Sequence, residues 1–200
     1  HFGLIPMNRG TNPSMWSILN DRVGGYTTYL VNEKIDYGEI IEQKVVDVND
    51  NETSYSLYMK LCELAELNFP KLLEKIYDWR WEKVLPFSNL NNYHKAGMPN
   101  DRWISWSWKS KYIYRFHNAL TFPPYPTCRT KIHAYDKDFE IYITDYNEHS
   151  HHEAEGKIVK IKDNNYKVYC KDGYVTAIIK DSEILPYLDK ENSLESILIK

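Results

Sequence analysis

Two residues near the start of the chain are of types that transfer protons. His1 opens the apolar stretch His-Phe-Gly-Leu-Ile-Pro, and Asp36 lies in the segment Asp-Tyr-Gly. An imidazole changes charge near neutral pH, and a carboxylate can accept and relay a proton. Both residues also have an ordinary structural interpretation, as a packed histidine and as a turn aspartate. Residue types and spacing alone leave both interpretations open.

A polar loop and a tryptophan follow His1. Asn8, Arg9 and Gly10 are consecutive, and Trp16 comes shortly after them. The arginine fork suits bidentate recognition of phosphate, and glycine lets the backbone approach a ligand. An ordinary surface turn explains the loop equally well. Trp16 is suited to stack on a base or sugar, and equally to fill a core.

The first half of the chain predicts helices and strands that would position these side chains. Asn12 is the expected cap of a short helix that carries Trp16. Residues rich in β-branched and aromatic types predict strands at 26–31 and 40–48. A longer helix is expected to begin at the cap Thr53, and Pro70 should kink it or begin another helix.

The second half has a different pattern. Residues 80–102 predict a loop or linker, and residues 103–120 are helical in part. Five short strands are then predicted, at 129–135, 139–146, 156–162, 166–171 and 174–180. Five antiparallel strands of this length fit a small barrel or OB-like module.

Charge and hydropathy exclude several classes of protein. The chain has 25 basic and 28 acidic residues, a net charge of −3, and residues 121–200 alone hold 11 basic and 14 acidic residues. Neither half carries the basic footprint of a protein that binds nucleic acid. Because no run of about 18 apolar residues occurs, no membrane-spanning helix is expected.

The potential metal ligands have unfavourable spacings. Three cysteines are widely separated and fit neither a zinc pattern nor a disulfide framework, which favours a reducing compartment: Cys62, Cys128 and Cys170. Three histidines cluster in a predicted turn region: His149, His151 and His152. A solvated loop is the better interpretation of that cluster, so no metal site is predicted.

Five segments in order along the chain resemble the formyltransferase family, which moves a formyl group from N10-formyltetrahydrofolate to an amine. They are His1-Phe-Gly-Leu-Ile-Pro, Asn8-Arg-Gly10, Gly25-Tyr-Thr27, Asp36-Tyr-Gly38-Glu-Ile-Ile41 and Ala119-Leu120-Thr-Phe-Pro-Pro-Tyr-Pro126. Order and spacing match over residues 1–48. The last segment resembles the start of the family's C-terminal barrel.

The resemblance implies an α/β fold with two domains. Residues 1–102 would be the C-terminal half of a Rossmann-like formyltransferase catalytic domain plus a linker. Residues 103–200 would be a helical connector and a small OB-like antiparallel β-barrel domain. The family has an asparagine two residues before its catalytic histidine, so the resemblance also implies that the chain is the C-terminal portion of a longer enzyme.

The resemblance also implies roles for particular residues. His1 and Asp36 match the family's catalytic histidine and aspartate. The acceptor substrate would contact Asn8, Arg9, Gly10 and Trp16. The pteridine of the formyl donor would lie beside Lys34, Ile35 and Asp36. The donor is already activated, so no metal is implied. One departure concerns the pocket, because Tyr29 stands where many relatives carry histidine.

The form of the loop is most similar to family members that act on nucleotide-linked amino sugars. That form is Asn-Arg-Gly-x-Asn-Pro-x-x-Trp, beginning at Asn8. The resemblance therefore implies formylation of a sugar such as a dTDP-amino-dideoxyhexose, for surface-glycan and lipopolysaccharide O-antigen synthesis, by a cytoplasmic homodimer. Methionyl-tRNA formyltransferase is an alternative that the lack of basic surface disfavours. A non-catalytic module that binds folate or a nucleotide sugar is the other.

Overall fold

The chain divides into two compact units. The computed structural model describes residues 1–133, 137–188, 190 and 192–199. The units are His1–Ala96 and Gly97–Lys200, and the division falls a few positions before the predicted boundary at 102. Both units mix helices with strands, in agreement with the predicted α/β class. None of the helices in the described ranges has the length and apolar character needed to cross a membrane.

The first unit is built on two pairs of strands and two helices. The strands are β1 (Arg9–Gly10), β2 (Val23–Tyr29), β3 (Ile40–Asp47) and β4 (Tyr93–His94), and the helices are α1 (Pro13–Trp16), which a π-helical turn extends (Ser17–Asp21), and α2 (Ser54–Tyr77). β2 and β3 pair antiparallel, whereas β1 and β4 pair in parallel. The parallel pair joins segments far apart in sequence, so a late segment of the unit lies beside its first loop.

The two helices of this unit begin differently. Thr53 caps α2 as predicted, because its hydroxyl accepts from the Ser56 amide at 3.1 Å and the Ser56 hydroxyl accepts from the Thr53 amide at 3.0 Å. Asn12 occupies the N-cap position of α1 as predicted, but its backbone is left-handed, with φ of 54°, and its side chain makes no capping hydrogen bond. Pro70 lies inside α2, which continues through it to Tyr77.

The core of the first unit is formed where α2 crosses the β2–β3 hairpin. Leu57 and Leu61 are fully buried, whereas Leu67 in the second half of α2 is 76% exposed. A Cβ atom on Gly24 of β2 would lie only 3.0 Å from a methyl carbon of Leu57. The first half of the helix therefore fixes the hairpin, and the hairpin carries the residues described below.

The second unit contains the remaining elements. They are a 3₁₀ turn (Pro99–Arg102), α3 (Ser110–Leu120), β5 (Arg129–Lys131), β6 (Asp138–Glu140), β7 (Tyr142–Glu148), β8 (Ile158–Lys162), β9 (Asn165–Cys170), β10 (Gly173–Ile178) and α4 (Leu185–Leu188). Four strands form one antiparallel sheet in the order β7-β10-β9-β8, and β5 pairs with β6.

The predicted OB-like barrel is not confirmed, because the described strands do not close into a barrel. The predicted strand 139–146 is divided at Ile141, whose amide donates to the Cys128 carbonyl at 3.2 Å. Before this residue the chain pairs with β5, and after it the chain pairs with β10. The chain therefore changes partner strand there. The predicted strand 129–135 runs into residues 134–136, which lie outside the described residues.

Helix α3 buries a histidine that is not solvated. His117 is 8% exposed, and its Nδ1 lies 3.3 Å from Oδ1 of Asn118. Its Nε2 finds no hydrogen-bond partner among the described residues. Burial, partly offset by the contact with Asn118, lowers the pKa of His117 to about 4. The ring is therefore neutral in the folded protein at neutral pH.

We predict that His117 makes the second unit sensitive to acid. Histidine in the unfolded chain has a pKa of about 6.5, whereas His117 in the folded chain has a pKa of about 4. Between these two pH values the unfolded chain therefore binds more protons than the folded chain. The stabilising contribution of the neutral ring is therefore fully present above the unfolded pKa and is lost as the pH falls through this range, by up to roughly 3 kcal/mol. Calorimetric unfolding at several pH values should show a shallower loss in His117→Gln. An identical pH dependence in both proteins would contradict the prediction.

Candidate functional site

His1 lies against the middle of β2. Its backbone nitrogen donates to the Thr27 carbonyl at 3.1 Å, and the Thr27 amide donates to the His1 carbonyl at 2.8 Å. In the nearly buried ring, Nε2 donates to the Asn8 carbonyl at 2.9 Å, and Nδ1 lies 3.4 Å from Oδ1 of Asp36. Both ring nitrogens therefore face acceptor oxygens.

The carboxylate of Asp36 is buried and receives donors from separate segments. The Gly10 amide donates to Oδ2 at 2.8 Å, and the Tyr29 hydroxyl donates to Oδ1 at 3.0 Å, the oxygen that also faces His1. Burial and then the hydrogen bond to Asp36 raise the pKa of Tyr29, so its hydroxyl keeps its proton at neutral pH. The structure thus brings the two predicted catalytic residues together.

The turn that carries His1 is fastened to the β2–β3 hairpin by two polar side chains. Thr27 donates through Oγ1 to the Gly3 carbonyl at 2.6 Å and accepts from the Ile5 amide at 3.1 Å. Gln43 donates through Nε2 to the Ile5 carbonyl at 2.7 Å and to Thr27 Oγ1 at 2.8 Å. The threonine of the Gly-x-Thr segment therefore holds the turn in place.

Arg9 is turned into the protein. Its Nε donates to the Asp36 carbonyl at 2.7 Å, and its Nη1 donates to Asn91 Oδ1 at 2.6 Å. The guanidinium also lies over the Tyr37 ring, 3.7 Å from the ring centre, and the residue is only 8% exposed. Nε and Nη1 of Arg9 are therefore already occupied by protein acceptors, and bidentate binding of a phosphate would need such donors free.

Asn8 is fully buried beside His94. Its amide nitrogen Nδ2 donates to Asp21 Oδ2 at 2.7 Å, and its Oδ1 lies 2.9 Å from His94 Nε2. Because Oδ1 can only accept, Nε2 of His94 carries the proton. Burial, partly opposed by Asp21, lowers the pKa of His94, so this ring is neutral. The His94 ring stacks on Trp16 at 4.1 Å with an angle of 10°.

The other predicted donor-binding residues lie on the surface. Lys34 and Ile35 belong to the loop between β2 and β3, and Ile35 is 71% exposed. The Lys34 amide donates to Asn32 Oδ1 at 2.9 Å, which shapes the loop. Their side chains flank the cluster around Asp36 and are not part of its buried network.

The histidines 149–152 are partly used by the fold. His151 donates through Nε2 to the Cys170 carbonyl at 2.7 Å and accepts through Nδ1 from the Glu153 amide at 3.1 Å. Within the described ranges, no group of three or more histidine, cysteine, aspartate and glutamate side chains is placed to hold a metal ion.

Sequence analysis assigned no role in the site to several residues of this cluster: Thr27, Tyr29, Gln43, Asn91, Asn92 and His94. For Tyr29 the sequence did offer a signal, because this residue departs from the histidine of the family pattern. The asparagine-rich residues before His94 instead resemble a linker, and only the parallel pairing of β1 and β4 reveals their position.

Family models match both units. The model described as "Formyl transferase" matches residues 1–73, and the model described as "Formyl transferase, C-terminal domain" matches residues 98–181. The chain belongs to the formyltransferase family. The two matched regions lie in the two separate units of the structure.

Formyltransferases with different acceptors are similar to this chain. It is 30% identical to the methionyl-tRNA formyltransferase of a Nitratiruptor species, over 88% of this chain and 55% of that protein. It is 29% identical to GDP-perosamine N-formyltransferase from Brucella melitensis, over 66% of this chain and 51% of that protein. The chain therefore spans about half the length of both relatives.

A solved structure supports the fold assignment. The N-formyltransferase of Helicobacter canadensis, in complex with folinic acid and dTDP-3-aminofucose, superposes with a TM-score of 0.68. The alignment covers 90% of this formyltransferase chain and 64% of that protein, at 22% identity.

We predict that Thr27→Val loosens the turn carrying His1. The variant leaves the Ile5 amide and the Gly3 carbonyl without their buried partner, which should lower the free energy of unfolding by about 1–3 kcal/mol. Thr28→Val is the matched control, because the Thr28 side chain makes no hydrogen bond within the described part of the chain; its effect should stay within about 0.5 kcal/mol. Urea unfolding measures both. Equal effects would show that Thr27 does not anchor the turn.

Proposed function

We propose that this chain is the part of an N-formyltransferase that carries the histidine–aspartate pair of the active site. The carrying observation is the buried contact of His1 with Asp36 inside the region matched by the formyltransferase model. The proposed reaction transfers a formyl group from N10-formyltetrahydrofolate to the amine of a nucleotide-linked amino sugar.

The residues beside Asp36 fit a folate-type donor. The loop exposes an aliphatic and an aromatic side chain, Ile35 and Tyr37, suited to contact a flat ring system, and the cation of Lys34, suited to a carboxylate tail. When bound, N10-formyltetrahydrofolate supplies the formyl carbon, to which the amine nitrogen bonds as the bond to N10 breaks and N10 takes a proton.

His1 and Asp36 divide the remaining work. The His1 ring provides an N–H donor for the negative charge that develops on the formyl oxygen, because Nε2 becomes available once it leaves the Asn8 carbonyl. The carboxylate of Asp36 accepts the proton released by the amine, directly or through water, and keeps the His1 ring oriented. Tyr29 and Gly10 hold that carboxylate in place.

Two lines of support favour an amino-sugar acceptor. A similar protein acts on GDP-perosamine, and a structural neighbour was solved with dTDP-3-aminofucose. Residues 121–200 hold 11 basic and 14 acidic residues, which does not suit a polyanionic acceptor.

Within this proposal, the first unit is half of a Rossmann-like domain, and the second unit is related to OB-like modules. The enzyme would be a cytoplasmic homodimer that serves surface-glycan synthesis.

Methionyl-tRNA is the second candidate acceptor. The observation in its favour is the 30% identity to a methionyl-tRNA formyltransferase over 88% of this chain. The two acceptors differ in charge, so they differ in salt dependence. Binding of a tRNA should weaken steeply as salt rises, whereas binding of a nucleotide sugar should change little.

The test is an assay of the purified whole enzyme that contains this chain, with N10-formyltetrahydrofolate and a panel of dTDP- and GDP-linked amino sugars, and with methionyl-tRNA alongside. We expect formamido product from a sugar, and a kcat lowered by about 10²–10⁴-fold in Asp36→Asn. Asp47→Asn, an exposed aspartate at the end of β3, is the control and should keep full activity. Formylation of methionyl-tRNA alone would establish the second candidate. Binding of folate or nucleotide sugar without turnover would establish a binding module.

We predict that Tyr29→Phe lowers kcat by about 3–10-fold, because Asp36 loses a donor that fixes its orientation. Tyr142→Phe is the matched control, since the Tyr142 hydroxyl also donates to a carboxylate, Glu140 Oε2 at 2.9 Å, but in the second unit. Steady-state kinetics compare the two variants. Equal kcat values would contradict a role for Tyr29.

A further inference from the structure

The segment Asn91–His94 lies along the loop Asn8–Gly10. Its backbone pairs in parallel with the loop, with Arg9 opposite Tyr93 and Gly10 opposite His94. The Thr11 amide extends this pairing by donating to the His94 carbonyl at 3.0 Å. The approach is close, because a Cβ atom on Gly10 would stand 2.2 Å from that carbonyl oxygen.

Side chains of this segment hold the same loop. Asn91 Oδ1 accepts from Arg9 Nη1 at 2.6 Å, and Asn92 Oδ1 accepts from the backbone N–H of Asn8 at 2.6 Å. His94 donates to Asn8 Oδ1 at 2.9 Å. Three of its four residues therefore bind the loop through side chains.

The loop in turn holds Asp36 at both its side chain and its backbone. The Gly10 amide donates to Oδ2, and Arg9 Nε donates to the Asp36 carbonyl. The Asp36 backbone is left-handed, with φ of 60°, a conformation that aspartate adopts more readily than most residues and that the contacts around it hold in place. Arg9 makes one of these contacts, and Asn91 orients Arg9.

We propose that Asn91–His94 is a positioning arm for the carboxylate of Asp36, acting through Arg9 and Gly10. The significance of this arm for catalysis rests on the proposed formyl transfer. Asn91 and Asn92 do not touch the reacting atoms; they hold the groups that hold Asp36. Arg9 therefore belongs to the support of the carboxylate rather than to a phosphate site.

The test compares three variants within the segment with one control variant just before it. Asn91→Ala removes the acceptor for Arg9, whereas Asn91→Asp keeps an oxygen at the same place and should restore the contact. Asn89→Ala is the matched control, because this exposed asparagine makes no hydrogen bond among the described residues. Asn91→Ala combined with Asn92→Ala is the stronger variant, and thermal unfolding checks that each protein remains folded.

The first measurement does not depend on activity. Hydrogen exchange of the Gly10 amide, which donates to Asp36, should quicken by about tenfold in Asn91→Ala and more in the double variant. It should stay near the wild-type rate in Asn91→Asp and Asn89→Ala. An unchanged exchange rate in Asn91→Ala and in the double variant would overturn the proposed arm, whatever the protein catalyses.

The second measurement uses the active protein. We expect Asn91→Ala to lower kcat by about 3–10-fold with the KM for the formyl donor unchanged, and Asn91→Asp to recover most of the loss. A raised KM with unchanged kcat would overturn the assignment to Asp36. A wild-type protein that transfers no formyl group would refute the proposed function but would leave the exchange result as the test of the arm.

Discussion

The carboxylate of Asp36 accepts hydrogen bonds from the Gly10 amide and the Tyr29 hydroxyl, and it faces the imidazole of His1. A buried charge without such partners is strongly unfavourable, so these groups must remain together for the first unit to stay folded. They come from the turn at the start of the chain, from β1 and from β2. The position of this one carboxylate therefore constrains three segments that share no regular sheet.

The second unit depends on a different constraint. Its chain changes partner strand at Ile141, pairing with β5 before this residue and with β10 after it. The segment on either side remains extended, so hydrogen bonds are satisfied through the change. Such an exchange lets one continuous extended segment contribute to two sheets, which explains why the pattern of five strands predicts a barrel while the described strands form a sheet of four and a pair.

Local signals in the sequence predicted more than distant ones. The cap at Thr53 depends on a residue three positions away, and the strands around 26–31 and 40–48 follow from side-chain types; both features are found in the structure. The lack of a side-chain capping hydrogen bond at Asn12 has no such signal. The meeting of His1 with Asp36 was accessible only through resemblance to a family. The contacts of Asn91 with Arg9 join positions 82 apart in the chain, a distance at which residue types carry no information about pairing.

The close approach of Gly10 to the His94 carbonyl bears on how a short sequence signature should be interpreted. Any side chain at position 10 would push the two paired segments apart and carry away the amide that holds Asp36. The Arg-Gly pair in this loop is thus a requirement of the scaffold. A residue that the scaffold requires carries no information about the acceptor, so acceptor preference must be encoded by side chains that this scaffold leaves free to vary.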